Sequence, residues 1–253
     1  MFSKIIDFET LFLNITFMFG LVPGKHVSVV WAGWSIGIEM LFYIMFPVLA
    51  ASIKTMRDVV IAFSIACSLS IWVQWQMGET FDNYGKMNLI TQMPFFIAGL
   101  CGYRIWQNSG FSKSRAGWFL LGLSIFLSLI IVSKIVPVLN YLPELIQLDL
   151  WALIFGTLIL SACLVTFAPL EHPILRRCGE LSFSLYLLHP ALMAILIKLQ
   201  LVGWMSSMFS SVWLVFILSS LITISLLWGL SNITYRFVEV PGIALGRRLA
   251  RAF

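Results

Sequence analysis

The stretch Trp34-Ser35-Ile36-Gly37-Ile38-Glu39-Met40-Leu41-Phe42-Tyr43-Ile44-Met45-Phe46-Pro47 decides the fold. It is apolar nearly throughout, yet it carries a carboxylate in its middle. Ser35, Glu39 and Tyr43 recur every four residues, which puts them on one face of a helix. The apolar run extends over 32–50, close to the ~20 residues that cross a bilayer core. In such a helix Glu39 lies on the order of 10 Å below the helix end, a depth at which an unpaired charge costs several kcal/mol. Its carboxyl group must be protonated, paired or near water. It reads either as a general base, proton acceptor or orienter of a cationic partner, or as a hydrogen-bonded structural acid.

The rest of the chain supports a membrane reading. Of its 253 residues 60% are apolar and 11% charged, and the mean hydropathy is +0.97. A soluble domain carries roughly 25% charged residues, so no soluble surface can be built from this composition. Apolar runs predict spans at about 10–22, 32–50, 57–76, 88–106, 116–136, 148–168, 182–199 and 211–236. The expected fold is an all-α polytopic transmembrane bundle of about eight spans. No repeat, low-complexity run or linker divides it, so 1–253 reads as one domain, with Pro137, Pro143, Pro169 and Pro173 as loop punctuation.

The net charge of +5 and pI near 9.2 would raise nucleic-acid binding in a soluble protein. Here the charges sit in short loops and alternate in sign. Lys54 and Arg57, then Arg104, Lys113 and Arg115, then Arg176 and Arg177 are basic, whereas Glu79, Asp82, Glu144 and Asp149 are acidic. The tail, with Arg236, Arg247, Arg248 and Arg251, is basic again. The positive-inside rule puts the basic loops and both termini in the cytoplasm, with Pro23, Gly24, Lys25 and His26 outside and Lys198 as the one exception. Basicity therefore reads as topology, and no nucleic-acid partner is expected. The N-terminal stretch, with Lys4, Asp7 and Glu9, has no signal-peptide pattern. Cys67, Cys101, Cys163 and Cys178 lack metal or disulfide spacing and read as small core residues. His26 and His172 read as solvated or capping loop residues, and no metal site is expected.

Two further polar stripes enter apolar helices. Ser182, Tyr186 and His189 fall at spacings of four and three, and Pro190 disrupts hydrogen bonding to the Tyr186 carbonyl. His189 reads as a proton shuttle or as a neutral imidazole donating to a neighbouring helix. Ser225, Trp228, Asn232, Tyr235 and Glu239 form the third stripe, followed by Pro241. Polar stripes on three helices imply a shared interior site. Arg236 reads equally as an interfacial anchor or a ligand contact, as do Arg104, Arg176 and Arg177.

Three segments, Trp34 to Pro47 (WSIGIEMLFYIMFP), Gly179 to Pro190 (GELSFSLYLLHP) and Tyr235 to Pro241 (YRFVEVP), together resemble acyltransferase family 3, the bacterial membrane O-acyltransferases. Met93-Pro94-Phe95-Phe96-Ile97-Ala98-Gly99 is a weaker fourth match. The resemblance implies a ten-helix domain that takes an acyl group, usually acetyl, from acyl-CoA and delivers it to a hydroxyl of a cell-envelope carbohydrate. It implies a multi-pass protein of the bacterial cytoplasmic (inner) membrane, with acyl-CoA, the carbohydrate acceptor and the lipid bilayer as partners and no bound cofactor. It also implies that Glu39 and His189 lie at or near the transfer cavity as catalytic candidates, with Trp34, Ser35 and Tyr186 shaping it; His189 matches a supporting motif of the family and not its first-helix base. The substrate-binding candidates are Trp34, Ser35, Tyr43, Ser182, Tyr186, Asn232, Tyr235, Arg236 and Glu239.

The family's first helix carries a motif with an arginine and, further along, the histidine usually regarded as catalytic, and no such segment precedes Trp34. The expectation is an N-terminally truncated domain lacking about two helices, with no extracytoplasmic domain after the last span. Two other classes stay open at this point. A transporter or flippase of an envelope precursor would also use intramembrane Glu and His, and a truncated remnant would insert without performing chemistry.

Overall fold

The computed structural model describes residues 7–30, 32–77, 84–108, 113–133, 144–165 and 172–251, excluding the side chains of 108, 113–114 and 144–145. Every regular element among them is helical. Glu79, Asp82, Pro137, Pro143 and Pro169 fall outside the described residues.

The described residues form two compact units. The first holds α1 (Phe8–Ile15), a 3-10 turn (Met18–Leu21), α2 (Gly33–Ser52), α3 (Met56–Met77), α4 (Leu89–Asn108), α5 (Lys113–Ser133) and α6 (Glu144–Leu164). The second holds α7 (Pro173–Glu180), α8 (Ser182–Lys198), α9 (Leu201–Met208), α10 (Val212–Thr234), a π-helical turn (Tyr235–Glu239) and α11 (Val240–Ala250).

Among the described residues five helical stretches are long and apolar enough to cross a membrane: Gly33–Ser52, Met56–Met77, Arg115–Ser133, Ile146–Leu164 and Val212–Ala250. A sixth results if α7 and α8, bent by 70° at Leu181, count as one span. Their outward faces are apolar, with Ile44 72%, Trp75 75%, Ile197 70% and Trp213 78% exposed. In water such a surface would drive association, whereas lipid solvates it.

Segment 10–22 does not form the span its apolarity predicts. Thr16 ends α1, and Phe17 at φ 58° turns the chain into the left-handed region. That reversal inserts Phe19, 1% exposed, against Gly37 of α2. A Cβ at Gly37 would lie 2.4 Å from the Phe19 ring, so only glycine allows this approach. Segment 88–106 is a full-length helix, α4, but falls outside the five that meet the apolarity criterion.

In the first unit, α3 packs on α4, α4 on α6, and α5 on α6. A buried cluster of Ile53, Val59, Ala66, Ile97 and Leu100 seals the junction of α2, α3 and α4, and Phe42 of α2 stacks on Phe96 of α4 with ring centroids 4.0 Å apart. A reciprocal capping box starts α3: Asp58 accepts from the Thr55 N–H at 2.7 Å, and the Asp58 N–H donates to Thr55 Oγ1 at 3.2 Å. In the second unit α8 and α9 both pack on α10.

Two loop readings change. His26 is buried, 1% exposed, with its ring edge-on to Tyr84 at 5.2 Å, because the loop folds it beneath α4's N-terminal approach rather than leaving it in solvent. Asp149, read as an outer-loop acid, lies inside α6 and is 6% exposed, because α6 starts at Glu144 and turns that face onto its neighbours. His172 does cap a helix, its Nδ1 accepting from the Ile174 N–H at 3.3 Å at the start of α7.

Candidate functional site

In the first unit, Trp34, Ser35 and Glu39 lie half-buried along α2, and Tyr43 is exposed. Their four-residue spacing puts them on one face, and there Tyr43 Oη donates to Glu39 Oε1 at 2.5 Å. Glu39 therefore has a partner within its own helix.

In the second unit the sequence places Pro190 four residues after Tyr186. Proline has no N–H, so the Tyr186 carbonyl loses its helical donor. His189 takes that position, with Nδ1 2.6 Å from the Tyr186 oxygen. A carbonyl only accepts, so Nδ1 carries the hydrogen, and in the neutral ring Nε2 is left with its lone pair. The Tyr186 and His189 rings lie 5.6 Å apart. The α8 backbone thus holds a half-buried imidazole in the tautomer a general base requires.

The third stripe is rearranged by the π turn. Val240 N–H bonds to the Tyr235 carbonyl, an i→i+5 step that adds a residue to the turn. Glu239 is thereby brought onto α8, where Ser184 Oγ donates to Glu239 Oε1 and shares a 2.7 Å hydrogen bond with Thr234 Oγ1. Tyr235 lies under Arg177, whose guanidinium is 4.8 Å from the ring centroid. Arg177 also reaches Asn232 Oδ1 through Nη2 at 2.7 Å and Nε at 3.3 Å, and pairs with Glu180 at 2.7 Å.

Sequence reasoning missed Ser184 and Thr234. It picked Ser182, which is exposed, whereas Ser184 is buried and makes the bond to α10's extension. Periodicity within α8 could not find it, because its partner lies beyond a turn that changes the register. Ser225 is exposed and Trp228 half-buried on the same stripe.

The arginines separate by what they already hold. Arg177 is occupied as described, and Arg104 donates to the Ile53 carbonyl at 2.9 Å and to Gln107 at 3.2 Å, closing the α2–α3 link onto α4. Arg176, with its side chain 81% exposed, makes among the described residues a long 3.8 Å contact to Glu180 and no other ion pair. Arg236 is exposed, its guanidinium 5.9 Å from the Phe237 ring. Among the described residues no group of three or more His, Cys, Asp or Glu converges to hold a metal ion, and the four cysteines are free.

No curated protein and no solved structure matches the chain significantly. The family model described as the acyltransferase domain, that of acyltransferase family 3, matches residues 5–231, which take in the Glu39 and His189 helices and most of α10. The chain belongs to acyltransferase family 3 and is a multi-pass membrane acyltransferase, a transferase of acyl groups other than aminoacyl.

Proposed function

We propose that this protein transfers an acetyl group from acetyl-CoA to a hydroxyl of a cell-envelope carbohydrate, in the bacterial cytoplasmic membrane. The observation that carries the reading is the 2.6 Å contact of His189 Nδ1 with the Tyr186 carbonyl oxygen. A ring whose Nδ1–H is fixed by the Tyr186 carbonyl offers Nε2 to a substrate proton. Nε2 takes the acceptor hydroxyl proton as its oxygen attacks the thioester carbonyl. The C–O bond forms, the C–S bond breaks, and the CoA thiolate leaves and regains a proton.

Glu39 is the second catalytic candidate. Tyr43 occupies Oε1, which leaves Oε2 to accept from a donor group of the substrate. Trp34, Ser35, Ser182, Tyr186, Asn232, Tyr235 and Glu239 shape the surroundings of these two groups within their own units. Arg236 and Arg176 suit CoA phosphates better than Arg104 and Arg177, since a guanidinium already committed to protein acceptors has fewer donors to offer.

The test is acetyl transfer from radiolabelled acetyl-CoA to envelope glycans in membranes containing the full chain. Incorporation that disappears in Glu39→Ala and His189→Asn, with equal protein in the membrane, supports the reading. Label that enters glycans equally in both variants, or none with the wild type, overturns it.

A further inference from the structure

Asp149 is a buried acid with no role in the chemistry above. It is 6% exposed, and neither carboxyl oxygen has a hydrogen-bond partner among the described residues. No ion pair to a Lys, Arg or His reaches it there either.

Its surroundings are polar and drawn from three helices. Ser70 of α3, 0% exposed, is its polar neighbour. Ser70 Oγ donates to the Thr91 carbonyl of α4 at 3.3 Å and accepts from Gln74 Nε2 at 3.1 Å. Gln74 and Thr91 are 2% and 0% exposed. The helix register agrees with this grouping. A Cβ on Gly156 of α6 would lie 2.9 Å from Ala98 Cβ of α4, and one on Gly102 would meet Gly156 and Leu160 at 3.8 Å, so α4 and α6 run parallel. Seven residues back along each stand Thr91 and Asp149, at one level.

The hydrogen count does not close without a further positive charge. Ser70 has one hydrogen, and it goes to Thr91. Turned toward Asp149 instead, that hydrogen satisfies one carboxyl oxygen at most and leaves the buried charge without a counter-charge. Ser70, Gln74 and Thr91 offer oxygens and an amide group around a single carboxylate, a donor set that one monovalent hard cation neutralises.

We propose that Asp149, Ser70, Gln74 and Thr91 form a binding site for one monovalent cation, a proton or an alkali ion, whose occupancy ties α3, α4 and α6 together. Other titratable groups near this level are few. From α3 it is Cys67, which lies close enough to Asp149 to feel its charge, and from α4 it is none, since Cys101 lies ten residues, nearly three turns, beyond Thr91. From α5 it is none, since Lys113 and Arg115 lie at the end of that helix whose Gly117 packs on Leu164 and Val165, the far end of α6. Tyr103 and Arg104 lie about three turns of α4 beyond Thr91.

The experiment measures thermal unfolding of the detergent-solubilised full chain across pH, and across NaCl at constant ionic strength held with choline chloride. Infrared spectra of the same samples report protonated carboxylic acid. With a proton as occupant, the wild-type midpoint falls as pH rises whatever the sodium, and a carboxylic-acid carbonyl band is lost in Asp149→Asn. With an alkali ion, the midpoint rises with sodium and not with choline, and Asp149→Asn abolishes the response. Should Asp149→Asn not fold, Ser70→Ala replaces it and shifts the midpoint of the proton or sodium response by at least about tenfold in concentration. A wild type that responds to neither cation, or variants that respond as the wild type does, overturns the proposal. The readouts need no acyl transfer, so its outcome is independent of the proposed reaction.

Discussion

His189 donates its Nδ1–H to the carbonyl of Tyr186 at 2.6 Å, an acceptor left open because Pro190 has no N–H to give. Two substitutions separate the parts of this device. His189→Asn keeps a donor near Nδ1 and removes Nε2, and is expected to lower acetyl transfer by about 10²- to 10⁴-fold, the range for a lost general base. Pro190→Ala restores a competing backbone N–H and is expected to cost about 10-fold, or ~1.4 kcal/mol of barrier. Initial rates with membrane-normalised protein check both.

Ser184 and Glu239 join α8 to the π turn after α10. Ser184→Ala and Glu239→Gln should each lower thermal stability. A double-mutant cycle should return a coupling of about 1 kcal/mol, which independent side chains would not show.

Phe19 fills the space above Gly37, where an added Cβ would meet its ring at 2.4 Å. Gly37→Ala is expected to destabilise the first unit by about 1–3 kcal/mol, the usual cost of overpacking. Gly37→Ala with Phe19→Leu should recover part of the loss, since a smaller side chain can withdraw. Denaturation midpoints of the three variants decide it.

The start of α1 carries a pH response. Thr10, capping onto Asp7, and Lys25, paired with Glu9 at 2.5 Å and with Asp7 at 3.5 Å, hold the Asp7 carboxyl below its ordinary value. The bond to Glu9 holds the Lys25 ammonium above its own. Asp7, with its folded value lowered, stabilises above the ordinary carboxylate value of about 4, and this is lost as pH falls through the lowered one. Lys25, with its folded value raised, stabilises below the ordinary value of about 10.4, and this is lost as pH rises through the raised one. Hydrogen-exchange protection of 8–15 should therefore be flat across neutral pH and fall at both ends. Asp7→Asn should remove the acid limb and Lys25→Met the alkaline one.

Most of the fold was legible because a membrane span is a one-dimensional signal. An apolar run of the right length reports itself, and the predicted runs at 32–50, 57–76, 182–199 and 211–236 reappear as α2, α3, α8 and α10. The 10–22 run failed because apolarity does not encode a chain reversal, and the left-handed Phe17 lies outside what periodicity can report. The site was legible wherever a bond closes within one helix: Glu39 with Tyr43 at i+4, and His189 with Tyr186 at i−3. Ser184 was passed over for Ser182 because its partners lie 50 and 55 residues away.

The sequence by itself determined that the chain is helical, lies in a membrane, belongs among the acyltransferases and carries Glu39 and His189 inside its helices. Each of these is fixed by composition, by spacing within one helix, or by motif. Only the tertiary structure decided that Asp149 is interior rather than looped out, that Arg104 and Arg177 are already occupied, and that a π turn delivers Glu239 to Ser184. Those outcomes depend on which helix faces which and at what register, and side-chain pairing across helices is a property of packing that no local pattern of residues contains.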